Sequence, residues 1–289
     1  MAGLHRPHAA LAPLALAFAL IAAPATARDE AHTLVLDDGR AVRATVRVPE
    51  GARGRLPAVM LFGGFEHAAE VLDRVRVDRP VIWSTFDYPF EPPRKFSFPS
   101  SLKYAPQLRE AIRGSFDGVV KLHALLRARP DVDPARITVV GASAGSPFAT
   151  VGAARAGIPG MIQVQGFADV TAAVQNIVAR RYREKWGAWI EWPTLWLARG
   201  LVWYCEVPDI AAHARALKAH QQVLVFTSRH DTFIPKLASD ALLDALDQSA
   251  AYHEHIELDG GHIGVGDDTA IMARILQDAI AWMERRQLL

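Results

Sequence analysis

The feature that most constrains the fold is a five-residue turn, Gly141-Ala142-Ser143-Ala144-Gly145, at the end of the apolar run Ile137-Thr138-Val139-Val140. An Ala- and Gly-rich segment that fits a helix follows it. A strand that enters a helix through Gly-x-Ser-x-Gly must turn so tightly that side chains at the glycine positions would strike neighbouring backbone. The serine between them is held strained, with Oγ pushed out above the sheet edge. The next helix aims its free N–H groups and positive end at the same spot.

The rest of the chain supplies strands and helices in alternation. Residues 32–36 and 41–48 read as strands around Asp37-Asp38-Gly39, a hairpin signal. Residues 56–62 are a continuous apolar run ending in Gly63-Gly64, as a buried strand requires, and 80–86 is another. Residues 87–105, rich in Pro, Phe, Tyr and Lys, read as a long surface loop. A helix over 107–129 follows from Leu108, Ile112, Phe116, Val119, His123 and Leu126 at three- and four-residue steps. Asp133-Pro134 starts a turn, 137–140 is a strand, 146–156 a helix and 160–165 a strand. Further on, helices are expected over 210–220, 237–246 and 268–285, and strands over 222–227 and 252–258. This alternation predicts a mostly parallel sheet covered on both faces. The rhythm breaks at residues 167–205, which hold five of the seven tryptophans and the basic run Arg180, Arg181, Arg183 and Lys185. That insertion is expected to be mostly helical, with its basic run as a solvated face.

At 289 residues and 51% hydrophobic content the chain can bury one large core. Residues 1–27 read as a secretory signal: a weakly basic start (His5, Arg6, His8), an apolar run from Ala9 to about Ala23, and the small-x-small pattern Ala25-Thr26-Ala27. This predicts a secreted or periplasmic protein, free of the membrane once the signal is removed, with a catalytic domain over 28–289. Without that segment the balance is 31 basic to 31 acidic residues, so there is no broad footprint for nucleic acid. The single cysteine, Cys205, cannot form an intrachain disulfide and lies in an apolar stretch, as a core thiol would. His, Asp and Glu do not fall at metal-ligand spacings, and the glycines lack a dinucleotide pattern, so no metal or cofactor is expected.

A serine hydroxyl attacks a carbonyl at neutral pH only with a base in reach, and that base needs an orienting carboxylate. Asp231 stands just past the strand at 222–227. Its rivals Asp240 and Asp244 fall on the following helix. His262 stands in Gly260-Gly261-His262-Ile263-Gly264, between the last strand and last helix, where glycines let the backbone bring an imidazole over Ser143. His253 and His255 alternate within a strand and read as structural, whereas His230, beside Asp231, competes as the base. An oxyanion hole needs two N–H donors. One is expected from Ala144, the other from Phe62-Gly63-Gly64-Phe65, where Gly64 and Phe65 are both candidates.

The passage from Asp133 to Gly145 resembles the nucleophile elbow of the α/β-hydrolases, in particular of the dienelactone hydrolase and prolyl-oligopeptidase-like branches, and the resemblance covers nearly all of residues 32–289. It implies an α/β-hydrolase fold, a mostly parallel central sheet with helices on both faces. It also implies a Ser143–His262–Asp231 triad and an acyl-enzyme intermediate. Phe62-Gly63-Gly64 departs from the His-Gly or His-Gly-Gly of many relatives. In this fold the 167–205 insertion would be a cap, and Trp186, Trp189 and Trp192 would line an apolar acyl or aromatic site, or else only pack the insertion on the body. The expected substrate is a small ester. A peptidase or acyltransferase on the same scaffold is the alternative reading, and a non-catalytic binding protein the third.

Overall fold

The computed structural model describes residues 27–51, 53–64, 72–73, 77, 79–89, 103–264 and 269–289. Residues 1–26, where the signal was expected, most of the Phe/Pro-rich stretch and Phe65 lie outside them. Eight strands form one sheet: β1 (Ala27–Val35), β2 (Ala41–Pro49), β3 (Leu56–Phe62), β4 (Ile82–Phe86), β5 (Val132–Ala142), β6 (Gly160–Val164), β7 (Gln222–Ser228) and β8 (Tyr252–Leu258). Their spatial order is β1-β2-β4-β3-β5-β6-β7-β8. The first two joins are antiparallel and every later one is parallel. The mostly parallel sheet read from the alternation is therefore present.

Two strands, β1 and β5, start several residues before their expected bounds. β1 starts at Ala27 rather than His32 because it pairs with the whole of β2, from Ala27 opposite Pro49 to Val35 opposite Ala41. Its charged start looks like coil in isolation. The charges are matched by neighbours: Asp29 accepts from Arg47 at 2.6 Å and Glu30 from Arg129 at 2.7 Å. β5 begins at Val132, where a turn at Asp133-Pro134 was expected. Its pairing with β3 slips between Leu56–Val132 and Ala58–Ile137, so residues 133–136 form a bulge. Pro134 fits a bulge because it has no ladder N–H to give. Asp133 closes it by accepting from the Ala135 N–H at 3.1 Å and from Arg136 at 2.7 Å.

The helices are α1 (Ala105–Ala128), α2 (Ser146–Ala156), α3 (Val170–Trp186), α4 (Glu191–Tyr204), α5 (Ile210–Arg215), α6 (Lys236–Asp247) and α7 (Thr269–Arg285). α5 is shorter than the expected 210–220. Gln221 takes over its end, accepting from the Lys218 N–H and donating to the carbonyls of Ala153 and Ile158, each at 2.9 Å. Among the described residues no helix is long and apolar enough to cross a membrane. The insertion is helical as expected: α3, a 3₁₀ turn over Gly187–Ile190, then α4.

Alternation along the strands divides the core in two, as a sheet covered on both faces requires. Ala58, Met60 and Phe62 of β3 face a cluster with Phe116, Val119 and Leu122 of α1, Phe148 of α2 and Leu242 of α6. Val59 and Leu61 face the other side, against Ile275, Trp282 and Met283 of α7. Since β3, β5, β6, β7 and β8 run parallel, their C-terminal ends share one edge. There the loops after them gather, as ligand sites do in open α/β sheets.

Candidate active site

Ser143 directly follows β5 with φ +49, a left-handed conformation that non-glycine residues avoid. The flanking glycines leave no alternative path. A Cβ on Gly141 would lie 2.5 Å from the Ala149 Cβ, and one on Gly145 would lie 2.3 Å from the Phe62 carbonyl oxygen. The strained turn expected from Gly-x-Ser-x-Gly is thus present, and its back presses on the loop that leaves β3.

Ser143 Oγ lies 2.8 Å from His262 Nε2, and His262 Nδ1 lies 2.7 Å from Asp231 Oδ2. A carboxylate only accepts, so the proton sits on Nδ1 and Nε2 is free to accept from the serine hydroxyl. Asp231 is held in turn: its Oδ1 accepts from the N–H groups of Phe233 and Ile234 at 2.8 and 2.9 Å. The imidazole is 1% and the carboxylate 7% exposed, so the relay is shielded from water while Ser143, 8% exposed, stands at its mouth. Three side chains drawn from the ends of β5, β7 and β8 converge, as read from the sequence. The competitors go elsewhere. His230 is exposed and faces Asp259 at 3.3 Å, Asp240 pairs with Lys236, and His255 meets Thr227 at 2.7 Å within the sheet.

Ala144 lies in the 3₁₀ turn Ser143–Gly145 that leads into α2. Gly64 is buried just after β3, and the neighbouring Gly63 carbonyl accepts from the Tyr88 hydroxyl at 3.2 Å. Burial pushes the Tyr88 phenol above its usual range, so it stays a neutral donor. Phe65, the other candidate donor, lies outside the described residues. Cys205 is buried, and burial raises its thiol pKa, as expected of a core cysteine.

Residues 109–287 match the prolyl oligopeptidase family. The chain belongs to that family. Its fold is that of the α/β-hydrolases, and it is a serine hydrolase. Similar solved structures include the acetyl xylan esterase 1 of Thermoanaerobacterium sp. JW/SL YS485, with 14% identity, a TM-score of 0.58, and coverage of 87% of this chain and 83% of the esterase. The acetyl xylan esterase of Paenibacillus sp. R4 has 15% identity, a TM-score of 0.57 and 89% coverage of each chain. The acylaminoacyl peptidase of Pyrococcus horikoshii has 14% identity and a TM-score of 0.62, covering 90% of this chain but 42% of the peptidase. The chain thus spans most of the two esterases' length and less than half of the peptidase's. No curated protein matches it by sequence.

Several residues of this prolyl oligopeptidase family member shape the site without having been legible as part of it. Phe233 packs on the His262 ring at 5.1 Å, and the Arg180 guanidinium lies 4.1 Å over the Phe233 ring. Arg180 also donates to Thr232 Oγ1 at 2.9 Å, while Asn176 donates to the carbonyls of Thr232 and Phe233 at 2.9 and 2.8 Å. Arg180 and Arg183 of the basic run are exposed, as a solvated face requires, and Arg180 also grips the loop that follows Asp231. Trp186, Trp189 and Trp192 are exposed, with Trp186 and Trp189 edge-on at 5.3 Å. The insertion meets the loop after Asp231 through Asn176 and Arg180. Gln165, expected as the last residue of β6, is instead just past its end, buried at φ +52. A glutamine, Gln165, closing the buried strand Met161-Ile162-Gln163-Val164 was the available signal, since a buried amide must find partners.

Proposed function

We propose that the chain is an exported esterase that cleaves small carboxylic esters through an acyl-enzyme. One observation carries this reading: Ser143 Oγ, His262 and Asp231 form an unbroken relay, with links of 2.8 and 2.7 Å. Ser143 Oγ attacks the ester carbonyl carbon while its proton passes to His262 Nε2. Asp231 keeps Nδ1 protonated and steadies the imidazolium. The developing oxyanion is met by the N–H groups of Ala144 and of Gly64 or Phe65. The C–O bond to the alcohol breaks, the departing oxygen takes the proton from Nε2, and the acyl group stays on Ser143. Water then gives a proton to Nε2 and attacks the acyl carbonyl. The acid leaves and the proton returns to Ser143. Trp186, Trp189 and Trp192 are assigned to the acyl or aromatic part of the substrate, as members of the 167–205 cap. Export rests on the signal pattern of residues 1–27.

The likeness in fold to two acetyl xylan esterases supports ester substrates. The family itself supports the second reading, a peptidase. A fluorophosphonate probe should label the native protein and fail on Ser143→Ala. p-Nitrophenyl esters of increasing acyl length, run beside peptide anilides, decide between the readings. Turnover of short and medium esters without anilide cleavage is expected. Faster anilide cleavage would establish the peptidase, and an unlabelled folded protein would end both.

A further inference from the structure

We propose that Gln165 is a positioning residue for the general base, fixing the loop that carries His262. The inference rests on the triad reading above and adds a residue to it. Gly260, Gly261 and Gly264 surround His262, so the loop has little stiffness of its own. Its imidazole must nevertheless stay within hydrogen-bond reach of Ser143. Gln165 supplies the missing restraint by bracketing the histidine. Its Nε2 donates to the carbonyl of Gly261 at 2.8 Å, the residue before, and its Oε1 accepts from the N–H of Ile263 at 2.9 Å, the residue after.

The same amide donates its second hydrogen to Ser228 Oγ at 2.6 Å, at the end of β7 where the acid loop begins. The Gln165 backbone N–H donates to the Phe226 carbonyl at 2.7 Å. One side chain at the end of β6 thereby ties the loop of the base to the root of the loop of the acid. The acid and base loops are also joined directly, since the N–H groups of Arg229 and His230 donate to the carbonyls of Leu258 and Gly260, each at 2.9 Å. Only Gln165 among these partners reaches both sides of His262. Both amide hydrogens and the amide oxygen are engaged in these bonds, so the group serves the loops rather than a substrate. The left-handed backbone at Gln165 is a conformation that persists only where surrounding contacts over-determine it.

The test compares Gln165→Met, which keeps the volume without the hydrogen bonds, with Gln165→Glu, each normalised to active sites titrated with a fluorophosphonate. Gln165→Met is expected to lower kcat by about 10- to 100-fold, the scale of a misplaced catalytic group, with KM within about twofold of wild type. Gln165→Glu gives a readout that a merely structural role would not move. Protonated, its carboxyl can donate to Gly261 and accept from Ile263. Ionised, it can only accept and faces a carbonyl. Its activity relative to wild type should therefore rise as pH falls. A Gln165→Met kcat within about twofold of wild type overturns the proposal. If that variant does not fold, a pH-independent ratio for Gln165→Glu overturns it. Ser143→Ala and His262→Ala run in parallel, and if either keeps wild-type turnover, it is the triad reading that has failed.

Discussion

Replacing Asp231 by Asn should disable the base by a route that the geometry specifies. Asp231 Oδ1 accepts two backbone N–H groups, from Phe233 at 2.8 Å and Ile234 at 2.9 Å, while Oδ2 accepts from His262 Nδ1 at 2.7 Å. In Asp231→Asn the amide oxygen must take the Oδ1 position. The reverse would set an NH₂ against two N–H donors, leaving each unpaired at about 1–3 kcal/mol. The NH₂ therefore faces Nδ1 and can be satisfied only if Nδ1 becomes an acceptor. The ring proton moves to Nε2, 2.8 Å from Ser143 Oγ, and the nitrogen that should accept the serine proton already holds one. Loss of the correct tautomer with geometry intact is worth about 10⁴ in kcat, or about 5.5 kcal/mol. The assay is p-nitrophenyl ester hydrolysis, with KM and the thermal midpoint followed beside it. KM should change little and the protein should stay folded. A folded Asp231→Asn protein with kcat within about tenfold of wild type would show that Asp231 does not set the tautomer.

Gly145→Ala would place a Cβ 2.3 Å from the Phe62 carbonyl oxygen, so the end of β3 must shift. Unfolding in urea should report a loss of about 1–3 kcal/mol, with lower kcat because the loop of Gly63 and Gly64 moves too; wild-type values for both would contradict the contact. His123 is buried, and desolvation, then Arg127, lowers its pKa to about 4. The unfolded chain takes up this proton near pH 6.5 and the folded one only near 4, so stability is full above 6.5 and falls by about 3 kcal/mol as pH drops through 4. His123→Leu should flatten that part of a stability–pH curve measured by denaturant unfolding, and an unchanged slope would refute the assignment. Trp192 is exposed, so Trp192→Ala should leave the thermal midpoint unchanged and raise KM for aryl esters. Unchanged KM would remove Trp192 from the substrate site.

The parts of the fold that were legible in the sequence are those decided by local pattern. β3, β6 and β7 are short apolar runs bounded by glycine, proline or polar residues, and a buried parallel strand looks the same from either face. α1 and α7 carry their apolar stripes at helical spacing. What was not legible depends on partners distant in sequence. The charged start of β1 is a strand because Arg47 and Arg129 are there to receive Asp29 and Glu30, the latter from 99 residues away. Pro134 lies in a strand because β3 tolerates a slip in register opposite it. α5 stops early, and past its end the Gln221 side chain accepts from the Lys218 N–H and donates to the distant carbonyls of Ala153 and Ile158.

The same division runs through the site. Ser143, Asp231 and His262 were legible because the chemistry admits few residue types and each sits beside a local signature: flanking glycines, a strand end, a glycine-rich loop. Asn176, Arg180 and Phe233 have no signature, and Gln165 only that of a buried amide at a strand end. Gln165 reaches Gly261 across 96 residues, and Asn176 reaches Phe233 across 57. Their roles are nevertheless complementary. The loop of Asp231 is held from the insertion, by Asn176 and Arg180 on Thr232 and Phe233, and that of His262 from the sheet, by Gln165. Phe233 is where the two restraints meet, with the imidazole at 5.1 Å and the guanidinium 4.1 Å over its ring. A contact of this kind makes the insertion part of the scaffold that holds the base, whatever its tryptophans bind. Substitutions on the inner side of α3 and on its outer tryptophans should therefore separate, the first acting on kcat through His262 and the second on KM.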